Sequence, residues 1–448
     1  MVIVKILLGL FGLGVVVFIH ELGHFLAARL VKIKVEAFSI GWGNPILKKK
    51  LGGVEYRLGM FPVGGYCKMK GETDYNEAWN NMRNGIKPEE GSYLAANPAS
   101  RILVSFAGPF FNLIFAIVLL CFIWGFGFEI KTLDNRIVLA SEVTNESYPA
   151  DSAGLKTGDR IVEINGKEIA YYHEVQENIA LNAEKTLPIK VERDGYIHNF
   201  QVTPSLDKSS GAGKIGVYFW TDPVIDTVQE GSAAQRKGLL PGDIITSVNN
   251  NEIHNTVDIL KIMDLKPEQL VLEYNRGGSV SQVVFTGDEL DNEIGISWKL
   301  ITYRTPNLSI PAALVKGVKE GYKTLTVSVK SLRLLFKGID LTQAVSGPVR
   351  ITYMMGDMAA QGFGQNAATG LRFFFDFIAL ISVALCVMNL LPLPILDGGM
   401  IILFFVEMLR KKPAHPKVIS IFNACGMAII FSLMAFALFG DIMYFIRR

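Results

Sequence analysis

The sequence predicts a multipass α-helical membrane protein with a repeated, mixed α/β region inserted between its second and third spans. Half of the 448 residues are hydrophobic and only 19% are charged. A membrane span needs about 20 apolar residues, and four stretches qualify, at about residues 2–31, 102–128, 373–395 and 419–439. The net charge of +2 leaves no basic excess to neutralise phosphates, which argues against a nucleic-acid partner.

The first span contains the pentapeptide His20-Glu21-Leu22-Gly23-His24. Two histidines four residues apart lie on one helix face, where both rings can bind one metal ion. The adjacent glutamate can then deprotonate a metal-bound water. Ionisable groups at membrane depth are costly, which favours a functional role; the alternative is a pair of core histidines beside a chance glutamate. Because the stretch lacks the basic start and the cleavage site of a signal peptide, we retain it as a span.

Lysine and arginine predict the orientation, because they are enriched in cytoplasmic loops. They are concentrated between the first two spans and, as Arg410, Lys411, Lys412 and Lys417, between the last two. Both connections are therefore expected in the cytoplasm, which leaves the long middle region and both termini outside. The four cysteines lie in spans or in the first connection, so we expect no disulfide framework.

The middle region contains an internal repeat. Residues 152–166 (SAGLKTGDRIVEING) recur at an offset of 84 positions as residues 236–250 (RKGLLPGDIITSVNN). Each copy continues through short alternating strands and one helix. The copies end in similar strands, which begin at Ile215-Gly216-Val217 and at Ile294-Gly295-Ile296. The pattern predicts two small half-barrel domains of roughly 80–90 residues each.

A catalytic zinc site usually takes three protein ligands, so a third ligand is needed beside the histidines. Asp397 is the only carboxylate between Asp376 and Glu407, and it lies in the segment NLLPLPILDGG. The prolines and glycines around it should break the helix and turn the carboxylate inward, which is tolerated where the backbone lines a cavity. The alternative is a helix end with Asp397 facing the cytosol.

These motifs together resemble the site-2 protease family of intramembrane zinc metalloproteases, in particular the bacterial RseP type (regulator of sigma-E protease). The repeat is similar to a tandem pair of circularly permuted PDZ domains. The resemblance implies that His20, His24 and Asp397 bind one Zn²⁺ and that Glu21 is the general base. The residues that it implies in substrate binding are Asn389, Pro392, Pro394, Gly64, Gly65 and Tyr66, the last three in a loop thought to re-enter the membrane as a β-hairpin, together with Gly41, Trp42 and Gly43.

Two further sets of residues match family motifs. Gly108, Pro109 and Asn112 match the Gly-Pro-x-x-Asn motif of the second span. The candidates for PDZ peptide grooves are Ile215, Gly216, Val217, Ile294, Gly295 and Ile296. The expected segments are residues 1–127 with two spans, 128–221 and 222–301 as PDZ domains, 302–370 as a linker, and 371–448 with two spans.

Within the linker, apolar residues at helical spacing among lysines, from Pro311 to Gly338, predict a basic amphipathic helix. This helix would lie on the membrane surface or pack on the PDZ domains. Ser346-Gly347-Pro348 predicts a turn, and the next segment, Gly356 to Gly370, is expected to be a Gly-rich loop.

By resemblance, the expected activity is cleavage of single-pass membrane proteins within the bilayer of the bacterial inner membrane. The expected substrates are trimmed anti-sigma factors and remnant signal peptides, and the PDZ domains would lie in the periplasm. They would bind peptides, screen substrates by size, or act as inert spacers. Two other function classes stay open: a membrane-anchored PDZ adaptor or quality-control factor with an inactive site, and a zinc protease that acts on soluble extracellular peptides.

Overall fold

The computed structural model describes residues 2–72, 80, 89–208, 210–287, 289, 294–334, 347–412 and 414–446. The chain divides into two compact units. One combines the chain up to Phe128 with most of the chain from Thr305 onward, and the other is built from Glu129–Arg304.

Twelve helices are present in the described part of the chain. They are α1 (Val2–Leu30), α2 (Pro98–Phe126), α3 (Ser141–Thr144), α4 (Pro149–Ala153), α5 (Tyr172–Ala180), α6 (Ala233–Arg236), α7 (Thr256–Asp264), α8 (Ile310–Leu334), α9 (Pro348–Gln365), α10 (Ala367–Asn389), α11 (Asp397–Arg410) and α12 (Pro416–Ile446).

Eighteen strands accompany them in the same part of the chain. They are β1 (Val35–Leu51), β2 (Val54–Met69), β3 (Glu129–Thr132), β4 (Ile137–Leu139), β5 (Arg160–Ile164), β6 (Lys167–Glu168), β7 (Leu187–Arg193), β8 (Tyr196–Val202), β9 (Ser205–Leu206), β10 (Gly213–Lys214), β11 (Val217–Phe219), β12 (Ile225–Val228), β13 (Ile244–Val248), β14 (Asn251–Glu252), β15 (Gln269–Arg276), β16 (Ser279–Thr286), β17 (Ile296–Trp298) and β18 (Ile301–Arg304).

Four helices of the first unit are long and apolar enough to cross a membrane, which confirms the four predicted spans. Their membrane-compatible lengths are Ile3–Leu30, Pro98–Phe126, Ala367–Asn389 and Pro416–Tyr444. The prediction that the third span continues to Ile395 is wrong, because α10 ends at Asn389 and a separate helix begins at Asp397. Pro392 and Pro394 have no backbone N–H to extend a helix, so the chain turns between α10 and α11.

Two corrections concern the linker. The predicted Gly-rich loop from Gly356 to Gly370 is wrong, because residues 356–365 belong to α9 and residues 367–370 belong to α10. Gly356 serves packing there: a Cβ atom on it would lie 1.8 Å from the carbonyl oxygen of Lys5 in α1. The amphipathic helix α8 packs on α2, where a Cβ on Gly317 would lie 2.4 Å from Cys121 Sγ. The end of the predicted amphipathic helix, residues 335–338, and Ser346 of the predicted turn lie outside the described residues.

Residues 35–69, in the connection between the first two spans, form a curled antiparallel hairpin, in which residues 37–40 of β1 pair both with residues 55–58 and with residues 65–68 of β2. Its strands β1 and β2 meet at the turn Gly52-Gly53. Phe38 of β1 and Tyr56 of β2 pack with Phe25 of α1 in one hydrophobic core. This packing fixes β2 beside the first span.

The second unit contains two four-stranded antiparallel sheets with the same strand order, β6-β5-β7-β8 and β14-β13-β15-β16. Each sheet packs with two helices around its own hydrophobic core, α4 and α5 in the first copy and α6 and α7 in the second. The Gly-Asp pair of each copy has the same local role. Asp159 accepts hydrogen bonds from Arg193, and Asp243 accepts them from Arg276, with Nε–O distances of 2.6 Å in both.

Candidate metal centre

Three side chains from two distant parts of the sequence converge in the first unit. His20 and His24 lie one turn apart on α1, and Asp397 is the first residue of α11. The Nε2 atoms of the two histidines are 3.2 Å apart. Asp397 Oδ2 lies 3.3 Å from His20 Nε2, and its Oδ1 lies 3.5 Å from His24 Nε2. Both histidines are buried.

The spacing of these atoms fits a tetrahedral metal. Ligands at about 2.0–2.1 Å from a zinc ion in tetrahedral geometry lie about 3.3–3.4 Å from one another. The two nitrogens are 3.2 Å apart, and the carboxylate oxygens nearest to them lie at 3.3 and 3.5 Å, close to this value. Two imidazoles and one carboxylate are also a usual catalytic zinc set that leaves a fourth position open. The site therefore fits a zinc ion without rearrangement.

The tautomer of His24 is fixed by the backbone of α2. His24 Nδ1 lies 2.8 Å from the carbonyl oxygen of Val104. Because a carbonyl only accepts hydrogen bonds, Nδ1 must carry the proton, and the lone pair of Nε2 points toward Asp397. The sequence analysis missed this contact, because a backbone carbonyl leaves no signature in the residue pattern.

The second-span motif contributes two positions to the same face of α2. A Cβ atom on Gly108 would lie 2.4 Å from His24 Nε2 and 2.9 Å from His20 Cε1, so only glycine leaves room for the two rings. Asn112, one turn further along, is fully buried, and its Nδ2 lies 3.3 Å from His20 Nδ1. Pro109 lies inside the helix between them.

The break between α10 and α11 brings Asp397 to the histidines. Gly398 and Gly399 are packed so closely against the preceding turn that added Cβ atoms would lie 2.3 and 2.1 Å from carbonyl oxygens. Gly426 of α12 approaches Pro394 in the same way. The break is therefore a tightly packed turn that needs small residues, which agrees with the expectation that prolines and glycines aim the carboxylate inward.

Glu21 lies beside the hairpin strand β2. A Cβ atom on Gly65 would lie 3.3 Å from Glu21 Cγ, and the backbone N–H of Cys67 interacts with the Glu21 carboxylate. Gly64 faces the Trp42 ring, which packs on Tyr66 with ring centres 5.9 Å apart. Of the predicted substrate-binding residues in the hairpin, Gly65 is thus the one in contact with the glutamate.

The other predicted substrate-binding residues lie at the helix break. Asn389 is the last residue of α10, and Pro392 and Pro394 follow in the turn. The Asn389 side chain is half-buried and receives no hydrogen bond from any residue that the structure describes. Its amide is therefore free to bind another chain.

A buried ion pair, which the sequence analysis missed, holds α11 against α2. Arg101 Nη2 lies 2.7 Å from Glu407 Oε2, and both side chains are almost fully buried. The guanidinium also lies over the Phe404 ring, 4.6 Å from its centre. In the sequence, the signal for this pair was that Arg101 and Glu407 each lie at the edge of an apolar stretch.

The second unit contains two modules, each made of one four-stranded sheet and the helices packed on it. The predicted peptide-groove residues lie at or just before the start of strand β11 in the first module and of strand β17 in the second. Gly216 and Gly295 have positive φ angles of 78° and 84°, and the strands β11 and β17 begin just after them. Ile215 is packed in the core of its module. The carbonyl of Val217 already accepts a hydrogen bond of 2.8 Å from the Tyr172 hydroxyl, and Ile294 and Ile296 are partly buried against the second core.

Comparison with known proteins gives one consistent result. Residues 8–433 match the model of Peptidase family M50. A Treponema pallidum protein, provisionally named a zinc metalloprotease, is 36% identical over 445 residues, covering 98% of this chain and 99% of that protein. The "Regulator of sigma E protease" of Haemophilus influenzae is 31% identical, with 96% of each chain covered. The "Regulator of sigma-E protease RseP" of Salmonella typhimurium is 28% identical, with the same coverage.

Proposed function

The chain belongs to peptidase family M50, as the resemblance to site-2 proteases predicted, and we propose that it is a zinc-dependent protease that cuts membrane-spanning substrates. One observation carries this proposal: His20, His24 and Asp397 bring two imidazole nitrogens and a carboxylate close enough to bind one metal ion beside Glu21. The zinc metalloprotease name of the Treponema pallidum relative supports zinc as the metal.

We assign the chemistry to residues as follows. Zinc, when bound, polarises the scissile carbonyl and lowers the pKa of its water toward about 7. Glu21 would accept the proton of that water and pass it to the leaving amine. Strand β2 at Gly65 packs against the Glu21 side chain. The hydrogen bond from His24 Nδ1–H to the Val104 carbonyl keeps His24 in the tautomer whose Nε2 can bind the metal.

A membrane helix hides its carbonyls in internal hydrogen bonds, so a substrate must unwind before it can be cut. We propose that the unwound segment pairs with the hairpin near Gly64, Gly65 and Tyr66, and that the free amide of Asn389 holds it. Pro392 and Pro394, in the turn after Asn389, would line the same substrate-binding site. The proposed substrates are trimmed anti-sigma factors and remnant signal peptides, and the sigma-E regulation in the names of two relatives supports the first of these.

The proposal extends to the location of the chain, its orientation in the membrane and its domain boundaries. The chain would lie in the bacterial inner membrane with its hairpin toward the cytoplasm, and with both termini and the second unit in the periplasm. Residues 128–221 and 222–301 would be PDZ domains, residues 302–370 the linker, and the flanking segments the protease. The intact ligand set weighs against an inactive adaptor, and the lysine-rich hairpin beside the site weighs against soluble extracellular substrates.

The test is a comparison of Glu21→Gln with His20→Ala and Asp397→Asn. Glu21→Gln should keep zinc and lose cleavage of a membrane substrate, because only the proton acceptor is removed. The two ligand variants should lose zinc as well, measured by metal analysis of the purified protein. Glu36→Gln, an exposed change on β1, is the control. Near-normal turnover by Glu21→Gln would remove Glu21 from the mechanism.

A further inference from the structure

The side chain of Asn112 has an unusual position. It is completely buried in α2, and its oxygen Oδ1 has no hydrogen-bond partner among the described residues. Its nitrogen Nδ2 faces His20 Nδ1 at 3.3 Å. Buried polar atoms nearly always have a partner, so an unpaired amide oxygen next to a metal ligand needs an explanation.

The needs of the metal site give this free acceptor a use. A neutral histidine that binds zinc through Nε2 carries its proton on Nδ1 and needs an acceptor there. For His24 the acceptor is the carbonyl of Val104. For His20 the Asn112 amide is the only group within hydrogen-bonding distance of Nδ1 in the described part of the chain. The two ends of an amide have nearly the same shape, and their orientation follows from the hydrogen-bond network.

Given the metal site proposed above, we propose that Asn112 is a positioning residue. Its side-chain oxygen accepts the Nδ1–H of His20 when zinc is bound. The opposite amide orientation suits the metal-free site. There, Nδ2 donates to Nδ1, and His20 Nε2–H can donate to Asp397 Oδ2, 3.3 Å away. The amide thus serves both tautomers of His20, and it fixes the plane of the ring in each.

The position of Asn112 is itself fixed. Ser382 of α10 donates a hydrogen bond of 2.8 Å to the backbone carbonyl of Asn112. Gly108, one turn earlier on the same face, leaves the space in which the rings of His20 and His24 stand. This gives the Gly-Pro-x-x-Asn motif a division of labour, in which the glycine makes room for both ligands and the asparagine orients one of them.

The test measures zinc affinity of the purified full chain by competition with a chromogenic chelator, which does not depend on turnover. Asn112→Leu should weaken zinc binding by about 10–100-fold, the usual effect of removing such an outer hydrogen bond. Asn112→Asp should bind zinc at least as tightly as the native chain, because a carboxylate only accepts. Val118→Ala, an exposed change in the same helix, is the control and should keep the native affinity.

Three outcomes would overturn the proposal: native affinity in Asn112→Leu, a loss in Asn112→Asp as large as in Asn112→Leu, or an equal loss in Val118→Ala. Should Asn112→Leu fail to fold, Asn112→Ala and Asn112→Asp carry the same test. The visible spectrum of the cobalt-loaded protein then reports ligand geometry. His20→Ala separates this result from the main proposal, because a variant without His20 that keeps zinc affinity would refute the metal site itself.

Discussion

At the scale of single residues, the metal centre depends on a missing side chain as much as on its ligands. Gly108 lies so close to His24 that a methyl group would overlap the ligand nitrogen at 2.4 Å. Overpacking of a buried site costs about 1–3 kcal/mol, which corresponds to roughly five- to 150-fold in affinity. We therefore expect Gly108→Ala to lose zinc affinity by about this factor, as measured by chelator competition.

Gly125 offers a matched control in the same helix. A Cβ atom there would meet only Ala313 Cβ, at an ordinary 3.8 Å. Gly125→Ala should therefore keep native zinc affinity, and it should favour the helix slightly. Equal affinity in the two alanine variants would show that Gly108 is not needed to make room for the histidines.

The residue scale also shows where sequence reasoning stops. His20, His24 and Asp397 could be predicted because few residue types bind metal and their spacing is informative. The bond from His24 to Val104, the burial of Asn112 and the pair Arg101–Glu407 could not. They depend on how far α2 is rotated and shifted against α1 and α11, which no local pattern records.

At the scale of elements, the length of the apolar stretches predicted the spans. The prediction of a loop from glycines failed where a glycine allows two helices to pack closely. Gly356 and its neighbours were expected to form a loop because glycine is a weak helix former. In α9 the same residue allows the helix to approach the backbone of α1. The third span was extended past Asn389 because hydropathy does not distinguish a packed turn from a helix. The hairpin was foreseen only through the family resemblance.

The ion pair between Asp243 and Arg276 predicts that the stability of the second unit depends on pH. Asp243 is 1% exposed and accepts hydrogen bonds from Arg276 of β15. Burial alone raises the pKa of Asp243, but the bonds from Arg276 and from the Leu240 backbone outweigh it, so its pKa lies below the ordinary value. The folded state then binds this proton more weakly than the unfolded chain does. The carboxylate stabilises the fold above its unfolded pKa of about 3.9, and this stabilisation is lost as the pH falls through the folded pKa.

Asp243→Asn should therefore unfold more readily at pH 7 and show a shallower loss of stability below about pH 4. Thermal unfolding of a fragment of residues 129–304 at a series of pH values measures both effects. Asp264→Asn, an exposed change at the end of α7, is the control and should follow the native curve. An Asp243→Asn curve parallel to the native one would contradict the assigned role of the Arg276 pair.

At the scale of the whole molecule, the second unit is inserted between the two halves of the metal site. His20 and His24 precede it in sequence and Asp397 follows it, while its ends meet in a short ladder. β3 pairs with β18 in antiparallel register, with Thr132 opposite Ile301. The chain therefore enters and leaves the unit at one place, and the protease half does not need the inserted residues to bring its ligands together.

This connection allows a sharp test of what the second unit does. Leu133 to Leu300 can be removed and Thr132 joined to Ile301 through an Asn-Gly turn, which suits a two-residue hairpin. If the unit screens substrates by size, the shortened chain should still bind zinc and cut short membrane substrates. It should also cut substrates that keep a folded outer domain, which the full chain refuses. If the unit instead delivers substrates through a peptide groove, cleavage of short substrates should fall.

We favour screening, because a size filter needs only bulk, whereas delivery needs an open groove. In the first module the strand edge at Val217 is already bonded to Tyr172. Cleavage of a short and a long version of one substrate in the same membranes measures the difference. Glu21→Gln in the shortened chain is the control that assigns any cleavage to this site. A shortened chain that binds zinc and cuts the short substrate, yet still rejects the long one, would show that the barrier to large substrates lies in the membrane unit itself.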